Sequence, residues 1–309
     1  MVIALGGNAM TGADGRAGPE DQRIAVDAAM QDVADLIASG VEVVLTHGNG
    51  PQVGNLLVKN ELAASVVPPV PLDWCGAQTQ ATIGMLVLNA LDRALAERGV
   101  DRRAAVVVTR TLVDPEDPGF ASPSKPIGRF LPEAEAKVLV EHGQTWEDRG
   151  GRGWRRVVAS PEPLEILDAP SIAALLDAGF VAVGAGGGGI PVVRGPGGTL
   201  RGIEAVIDKD LAAALLARSL DADALVIATD VDHAMIGFGT ADERAIGRTT
   251  AGELRALAAQ GEFASGSMGP KVEAAIRFVE AAGGLSAITS LRRIGEAVRG
   301  HAGTVVTAG

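Results

Sequence analysis

Short apolar runs alternate with helix-length amphipathic stretches along nearly the whole chain, and three of those runs stop at glycine. The order strand, helix, strand marks an α/β fold with a mostly parallel twisted sheet. Val2–Leu5 predicts a strand followed by Gly6-Gly7-Asn8. Residues 21–39 predict an amphipathic helix closed by Gly40. Residues 41–46 predict the next strand, which ends in His47-Gly48-Asn49-Gly50-Pro51. Helices over 52–64 and 78–98 and a strand over 104–109 follow. Later, 181–183 reads as a strand leading into Gly184–Gly189, and 208–219 as a helix. Residues 224–229 form a strand that ends in Asp230-Val231-Asp232. Thr250 caps a helix to Gln260, and Pro270 stands in the first turn of a helix through Ala282. Strand, helix and strand close the chain at 286–290, 294–299 and 304–307. In such sheets ligands bind beyond the carboxyl ends of the strands.

Residues 114–163 break the pattern, being rich in Asp, Pro, Gly and Arg, yet 131–142 reads as a helix and 154–158 as a strand. A disordered linker fits the composition; a small protruding insertion subdomain, acting as a lid or as a dimerisation arm, fits the periodicity. The expected organisation is an N-terminal lobe over 1–200 that includes this insertion, and a C-terminal lobe over 201–309.

Composition narrows the partners. The net charge of −11 repels a phosphate backbone, so nucleic acid is not expected, and a site for an anionic substrate must be built locally from a few cations and backbone amides. One cysteine, Cys75, rules out an intramolecular disulfide or a cysteine metal cluster and reads as a small buried hydrophobe. The longest uncharged runs, 74–91 and 178–193, are interrupted by polar residues and by glycine, so neither reads as a membrane span. The first five residues lack a cationic start and a long apolar region, and a cytoplasmic protein is expected.

Only five of the 27 cationic side chains are lysine: Lys59, Lys125, Lys137, Lys209 and Lys271. In so arginine-rich a chain, a lysine persists where a compact point charge is required. Lys59 and Lys137 fall in polar helical stretches and read as surface residues. Lys209 and Lys271 fall at helix starts, where a cation opposes the helix dipole. For Lys209 a salt bridge to Asp208 or Asp210 is one account; neutralisation of phosphate, with Asp210 orienting the ammonium, is the other. Lys125 stands between two prolines in the insertion, either as a solvated loop residue or held out to reach a ligand.

No Gly-x-x-x-x-Gly-Lys-Ser/Thr stretch occurs, which excludes a P-loop. Gly184–Gly189 formally fits Gly-x-Gly-x-x-Gly, but Ile190-Pro191-Val192-Val193 follows where a dinucleotide fingerprint needs a helix. The four histidines lack zinc spacing, and no Gly-x-Ser-x-Gly elbow exists. Three glycine turns at strand ends, two of them carrying Asn8 and Asn49, suit an anion, because glycine lets a ligand approach backbone amides closely.

In order along the chain stand Gly-Gly-Asn-Ala (6–9), His-Gly-Asn-Gly-Pro-Gln-Val-Gly-Asn (47–55), Pro-Leu-Asp-Trp-Cys-Gly-Ala (71–77), Ser-Lys-Pro-Ile-Gly (124–128), Gly-Gly-Gly-Gly-Ile-Pro-Val (186–192), Glu-Ala-Val-Ile-Asp-Lys-Asp (204–210) and Gly-Ser-Met-Gly-Pro-Lys-Val-Glu-Ala (266–274). Together they resemble the carbamate kinases of the amino-acid kinase family over essentially the whole chain. Most of that family carries a lysine in the first strand. Val2–Leu5 has none, a variant that resembles the carbamate branch, where an insertion subdomain supplies the charge, here Lys125. The resemblance implies a three-layer α/β/α sandwich, a homodimer, magnesium, and ATP synthesis during arginine breakdown. It implies catalytic roles for Lys125, Lys209, Asp210 and Lys271. Gly6, Gly7, Asn8, Gly48, Asn49 and Gly50 would hold carbamate and the transferred phosphoryl group. Gly186, Gly187, Lys209, Asp230, Asp232, Met268, Gly269 and Lys271 would hold ATP or ADP, with 233–240 near the adenine. Magnesium would be carried mainly by phosphates and water, without direct protein ligands. The alternatives are a kinase of the same fold acting on another small carboxylate, and an inactive nucleotide-binding regulator.

Overall fold

The computed structural model describes residues 1–6, 18–263 and 268–309, apart from the side chain of Arg129. Among the described residues, eight strands form a central sheet. Their order is Arg248–Thr250, Thr304–Thr307, Leu285–Ser290, Ala224–Thr229, Val2–Leu5, Val44–His47, Val181–Val183 and Ala104–Val106. Neighbours are parallel except where Thr304–Thr307 runs against Leu285–Ser290.

Successive strand residues point to opposite faces. Val2 and Ala4 join one apolar cluster that includes residues of the helices Ala169–Asp177, Lys209–Ser219, Ala251–Ala259 and Met268–Ala282. Ile3 and Leu5 join a second, with Pro19–Ala38, Leu72–Glu97 and Ile294–Val298. Burial on both faces explains why the inner strands read as unbroken apolar runs rather than as alternations. The result is the expected α/β/α sandwich.

Two elements differ from the sequence reading. The strand expected over 104–109 is shorter: Ala104–Val106 ends the central sheet, and a further strand, Arg110–Leu112, enters a separate four-stranded sheet with Leu200–Gly202, Ile190–Arg194 and Glu165–Ile166. The break falls at Thr109, whose N–H donates to Gln80 Oε1 (2.9 Å) and whose carbonyl accepts from Gln80 Nε2 (3.1 Å). The same carbonyl also accepts from Ile190 N–H at 2.8 Å, so a buried amide side chain and the second sheet share this residue. The helix expected from residue 78 begins at Leu72, directly after Pro71 at its N-cap. Proline fixes an extended entry there and donates no N–H that the first turn would need.

The segment expected as a linker or insertion is ordered. Lys125–Leu131, Trp154–Val158 and Thr145–Asp148 form an antiparallel sheet, and Glu133–Glu141 is a helix. Lys125 opens an edge strand rather than a loop, and the edge position tolerates Pro126. This sheet rests on the helix Gly50–Ala63 through a small cluster of Val53, Leu57, Leu72, Cys75, Ile127 and Val158. Cys75 is a buried free thiol, as expected.

The closest approach in that contact is backbone to backbone. A Cβ on Gly54 would lie 2.4 Å from Gly128 Cα, and Gly128 itself has φ +69°. Neither atom can yield as a side chain would. Gly54→Ala is therefore expected to lift the Lys125–Leu131 strand off the helix and to speed its amide exchange. Unchanged exchange there would contradict the contact.

Candidate active site

Strands Val2–Leu5, Val44–His47 and Ala224–Thr229 are adjacent and parallel, with Leu5 level with both His47 and Ala228. Their carboxyl ends therefore place Gly6, Gly48 and Asp230 side by side, with Gly184 one strand further on. Gly7 and Asn8 lie outside the described residues. The ladder continues one residue past each of three strands: Gly6 N–H donates to Ala228 O, Gly48 N–H to Leu5 O and Gly184 N–H to Leu45 O, all at 2.9 Å. The Gly6 and Gly48 amides are thus engaged by the sheet. The helix Gly50–Ala63 also starts at this edge; Pro51 has no N–H and the Val53 N–H is taken by Asn49 O at 2.9 Å, which leaves Gly50 and Gln52 as the first-turn N–H groups without intrahelical acceptors.

The glycine run is not the open nest that its composition implies. Gly186 and Gly187 are buried. A Cβ on Gly186 would lie 2.4 Å from His47 Nε2, and one on Gly187 would lie 2.1 Å from Asn49 Nδ2. A Cβ on Gly188 would meet Ile207 O at 2.7 Å. Glycine is required because His47, Asn49 and the 207 backbone press directly on this loop. Buried polar side chains clamp it. Thr46 Oγ1 donates to Ala185 O (2.9 Å), Ala185 N–H to Thr109 Oγ1 (2.9 Å), Gln80 Nε2 to Gly186 O (3.0 Å) and Thr111 Oγ1 to Gly188 O (2.9 Å). The clamp holds Ala185 at φ +49°, a left-handed conformation that costs a non-glycine residue about 1 kcal/mol or more.

Against the same loop, the helix Lys209–Ser219 opens on three lysines and two aspartates. Asp208 caps it, with Oδ1 accepting from Asp210 N–H (2.9 Å) and Leu211 N–H (3.3 Å). Its other oxygen, Oδ2, receives Lys125 Nζ at 2.5 Å from the insertion sheet. Asp210 Oδ1 receives Lys209 Nζ at 2.5 Å, and its Oδ2 receives Lys271 Nζ at 3.2 Å. Of the two candidate partners for Lys209, the salt bridge goes to Asp210, while Asp208 holds Lys125. Lys59 is exposed and Lys137 pairs with Glu133 on the surface, as read from their context.

Charge and burial set the electrostatics. Burial is the largest influence on Lys209 and holds its ammonium below the usual lysine value of 10.5; Asp210 opposes that shift and Lys271 adds to it. Burial alone would raise the Asp210 carboxyl, but Lys209 and Lys271 outweigh it and keep the carboxyl below 3.8. Asp210 is therefore ionised at neutral pH. Among the described residues, three lysines gather on two carboxylates here, largely out of water, in a chain whose net charge is −11. Such an arrangement attracts a polyanion and needs little reorganisation when charge moves.

His47 is buried, and its Nδ1 pairs with Gly48 O at 3.0 Å. Burial is the main reason that its pKa falls to about 4, with Lys209 adding to the shift. The imidazole is neutral and serves as packing for Gly186. The unfolded chain protonates this histidine first as pH falls through 6.5, so stability is lost from there down to about pH 4. The upper bound is on the order of 3 kcal/mol. Urea midpoints are expected to fall across that window, and His47→Gln is expected to flatten the slope. An equal slope in both proteins would contradict the assignment.

Asp230 and Asp232 follow Ala224–Thr229 and are exposed. Asp230 accepts from Thr229 Oγ1 at 3.0 Å, and Asp232 faces Arg293 at 3.6 Å. A hydrogen bond from Ser290 is the main reason that the Asp232 carboxyl stays below its usual range. Met268 and Gly269 open the helix that carries Lys271. Gln80, Thr109 and Thr111 were missed as site residues, because their role appears only when the second sheet and the glycine loop meet.

A parallel-centred α/β/α sandwich with buried lysines and a glycine loop at its strand ends defines a phosphate-handling protein that works without a P-loop. The chain belongs to the amino acid kinase family, whose model matches residues 1–290. It is 47% identical to the carbamate kinase of Thermococcus kodakarensis, across 99% of this chain and 98% of that protein. It is 46% identical to the carbamate kinase-like protein YqeA of Escherichia coli, with the same coverage. Among solved structures, carbamate kinase from Giardia lamblia bound to AMP-PNP superposes with a TM-score of 0.92 at 44% identity, covering 99% of this chain and 97% of that one. No helix among the described residues is long and apolar enough to cross a membrane.

Proposed function

We propose that the chain transfers a phosphoryl group reversibly between ATP and carbamate, giving ADP and carbamoyl phosphate. The observation that carries this reading is the meeting of Lys125, Lys209 and Lys271 on Asp208 and Asp210. Full-length likeness to carbamate kinases supports the choice of acceptor.

The nucleophile is a carbamate oxygen that is already anionic, so no general base is required. The neutral His47, tied to Gly48 O, is consistent with that economy. Catalysis is then positioning and charge neutralisation. Lys209 and Lys271 balance charge on the β and γ oxygens. Lys125 arrives from the 114–163 segment, acting as a lid. Asp208 and Asp210 hold the three ammoniums at fixed spacing before substrate enters. Asn49 and Gly50, at the helix start, hold carbamate and the transferring group, and Gly6 and Gly48 leave room for their approach. Gly7 and Asn8, outside the described residues, take the same ligand-binding role by resemblance to the family. Gly186 and Gly187 support the phosphates, while Asp230, Asp232, Met268 and Gly269 border the nucleotide. Residues 1–200 carry the acceptor and 201–309 the nucleotide.

Both carboxylates nearest the lysines already hold an ammonium at 2.5 Å. Magnesium therefore fits as an ion that the nucleotide would bring, with its phosphates and water as the main ligands; it would supply further charge neutralisation beside Lys209 and Lys271. A homodimer working in the cytoplasm, making ATP during arginine breakdown, completes the reading.

The kinase-like relative keeps a second reading in view: another carboxylate acceptor, or nucleotide binding without turnover. An acceptor panel separates them. ADP release is expected with carbamate and not with glutamate or aspartate. Release driven by an amino-acid carboxylate would replace the acceptor. ATP binding by calorimetry with turnover in neither direction would make the chain a regulator.

A further inference from the structure

A second cleft, of about 320 Å³, opens where the insertion sheet meets the helix Gly50–Ala63, and it shares no lining residue with the lysine constellation. Most of its polar groups are fixed. Asn60 Nδ2 donates to Val70 O at 3.0 Å and pins the proline-rich turn. Gln144 Nε2 donates to Glu61 Oε1 at 3.3 Å, and Trp146 Nε1 donates to Gln144 Oε1 at 3.0 Å. Leu72 N–H donates to Glu204 Oε1 at 3.4 Å.

Arg156 differs. Its side chain is 18% exposed, and Glu61 stands 3.8 Å away, beyond hydrogen-bond reach. Its Nε is buried and has no partner among the described residues. A guanidinium is built to grip an oxyanion through two parallel N–H groups, and this one faces a cleft of small-ligand size. Glu61 and Glu204 line the same cleft as Arg156; burial lowers the Arg156 pKa, and Glu61, Glu204 and Cys75 act in the opposite direction.

We infer that this cleft binds a small zwitterion, a free α-amino acid with a short apolar side chain. Its carboxylate lies on Arg156, its ammonium between Glu61 and Glu204, and its side chain against Leu57, Leu72 and Pro71. A bare carboxylate would meet two glutamates, and a bare amine would meet Arg156. The occupant also bears on the lysine site. Arg156 pairs with Ile127, and Val158 pairs with Lys125, in one antiparallel ladder. Gripping Arg156 therefore steadies the strand that carries Lys125 to Asp208. The binding stands whichever acid the kinase site phosphorylates.

Calorimetry on the full chain tests this, with L-leucine as probe, isovalerate as its analogue without the ammonium, and isoamylamine as its analogue without the carboxylate. L-Leucine is expected to bind saturably with a Kd on the order of 1 mM, with both analogues at least about tenfold weaker. Arg156→Gln and Glu204→Gln are each expected to weaken leucine by about tenfold or more. The second keeps an acceptor for the Leu72 N–H and so keeps the fold. Leucine should also slow amide exchange in Trp154–Val158 of the unsubstituted protein and not of either variant. Absence of saturable leucine binding, equal affinity for isovalerate, or unchanged leucine affinity in the two variants would overturn the inference.

Discussion

Lys271→Ala is expected to lower turnover by at least about a hundredfold. Its Nζ is buried and held 3.2 Å from Asp210 Oδ2, on a helix separate from the one that carries Lys209. A preorganised charge aimed at a developing anion contributes roughly 3–4 kcal/mol to the barrier, and a hundredfold corresponds to about 2.7 kcal/mol. The loss should appear in kcat, since the interaction grows as charge moves between the two acceptor oxygens. The fold should persist, because Asp210 keeps Lys209. Lys271→Arg is expected to rescue little: the bulkier fork must enter a buried space already filled by Asp210 and Lys209. Near-normal turnover of the alanine variant would remove Lys271 from the mechanism.

Asp210→Asn should act on stability as strongly as on rate. The amide keeps the shape of the carboxylate but removes the counter-charge that the buried ammoniums of Lys209 and Lys271 share. Removing one partner from a buried ionic group costs about 3–5 kcal/mol. Asp210 has a depressed pKa when folded, so its contribution is complete above the unfolded value of 3.8 and is lost as pH falls below it. The stability gap between the two proteins should therefore be full at pH 7 and close under acid, below about 3.8. Urea unfolding at both pH values reads this directly. A gap that is small at pH 7, or that stays constant into acid, would contradict the pairing.

Much of the architecture was legible because strands buried on both faces read as unbroken apolar runs. Ala224–Thr229, apolar up to its last residue and buried throughout, carries its boundaries in its composition. Thr250 announces its helix through the capping box with Glu253. The run 104–109 misled because the chain leaves the central sheet for the second one at Thr109, held there by Gln80 of a helix and by Ile190 N–H, and no local pattern encodes that. Lys125, Lys209 and Lys271 stood out by the scarcity of lysine together with their places at helix starts or between prolines. Their partition was not legible: Asp208 and Asp210 are equivalent neighbours of Lys209 in sequence, and only the insertion sheet, bringing Lys125 to Asp208, separates them. The glycine run was read correctly as a turn at a strand end, but its burial under His47 and Asn49 is a tertiary fact.

The most direct measurement is ATP formation from ADP, magnesium and carbamoyl phosphate by the purified chain, followed in a coupled assay. A preorganised site of three lysines on two aspartates predicts rapid, enzyme-dependent ATP synthesis, abolished in Lys271→Ala. A folded, nucleotide-binding protein that forms no ATP from carbamoyl phosphate would contradict it.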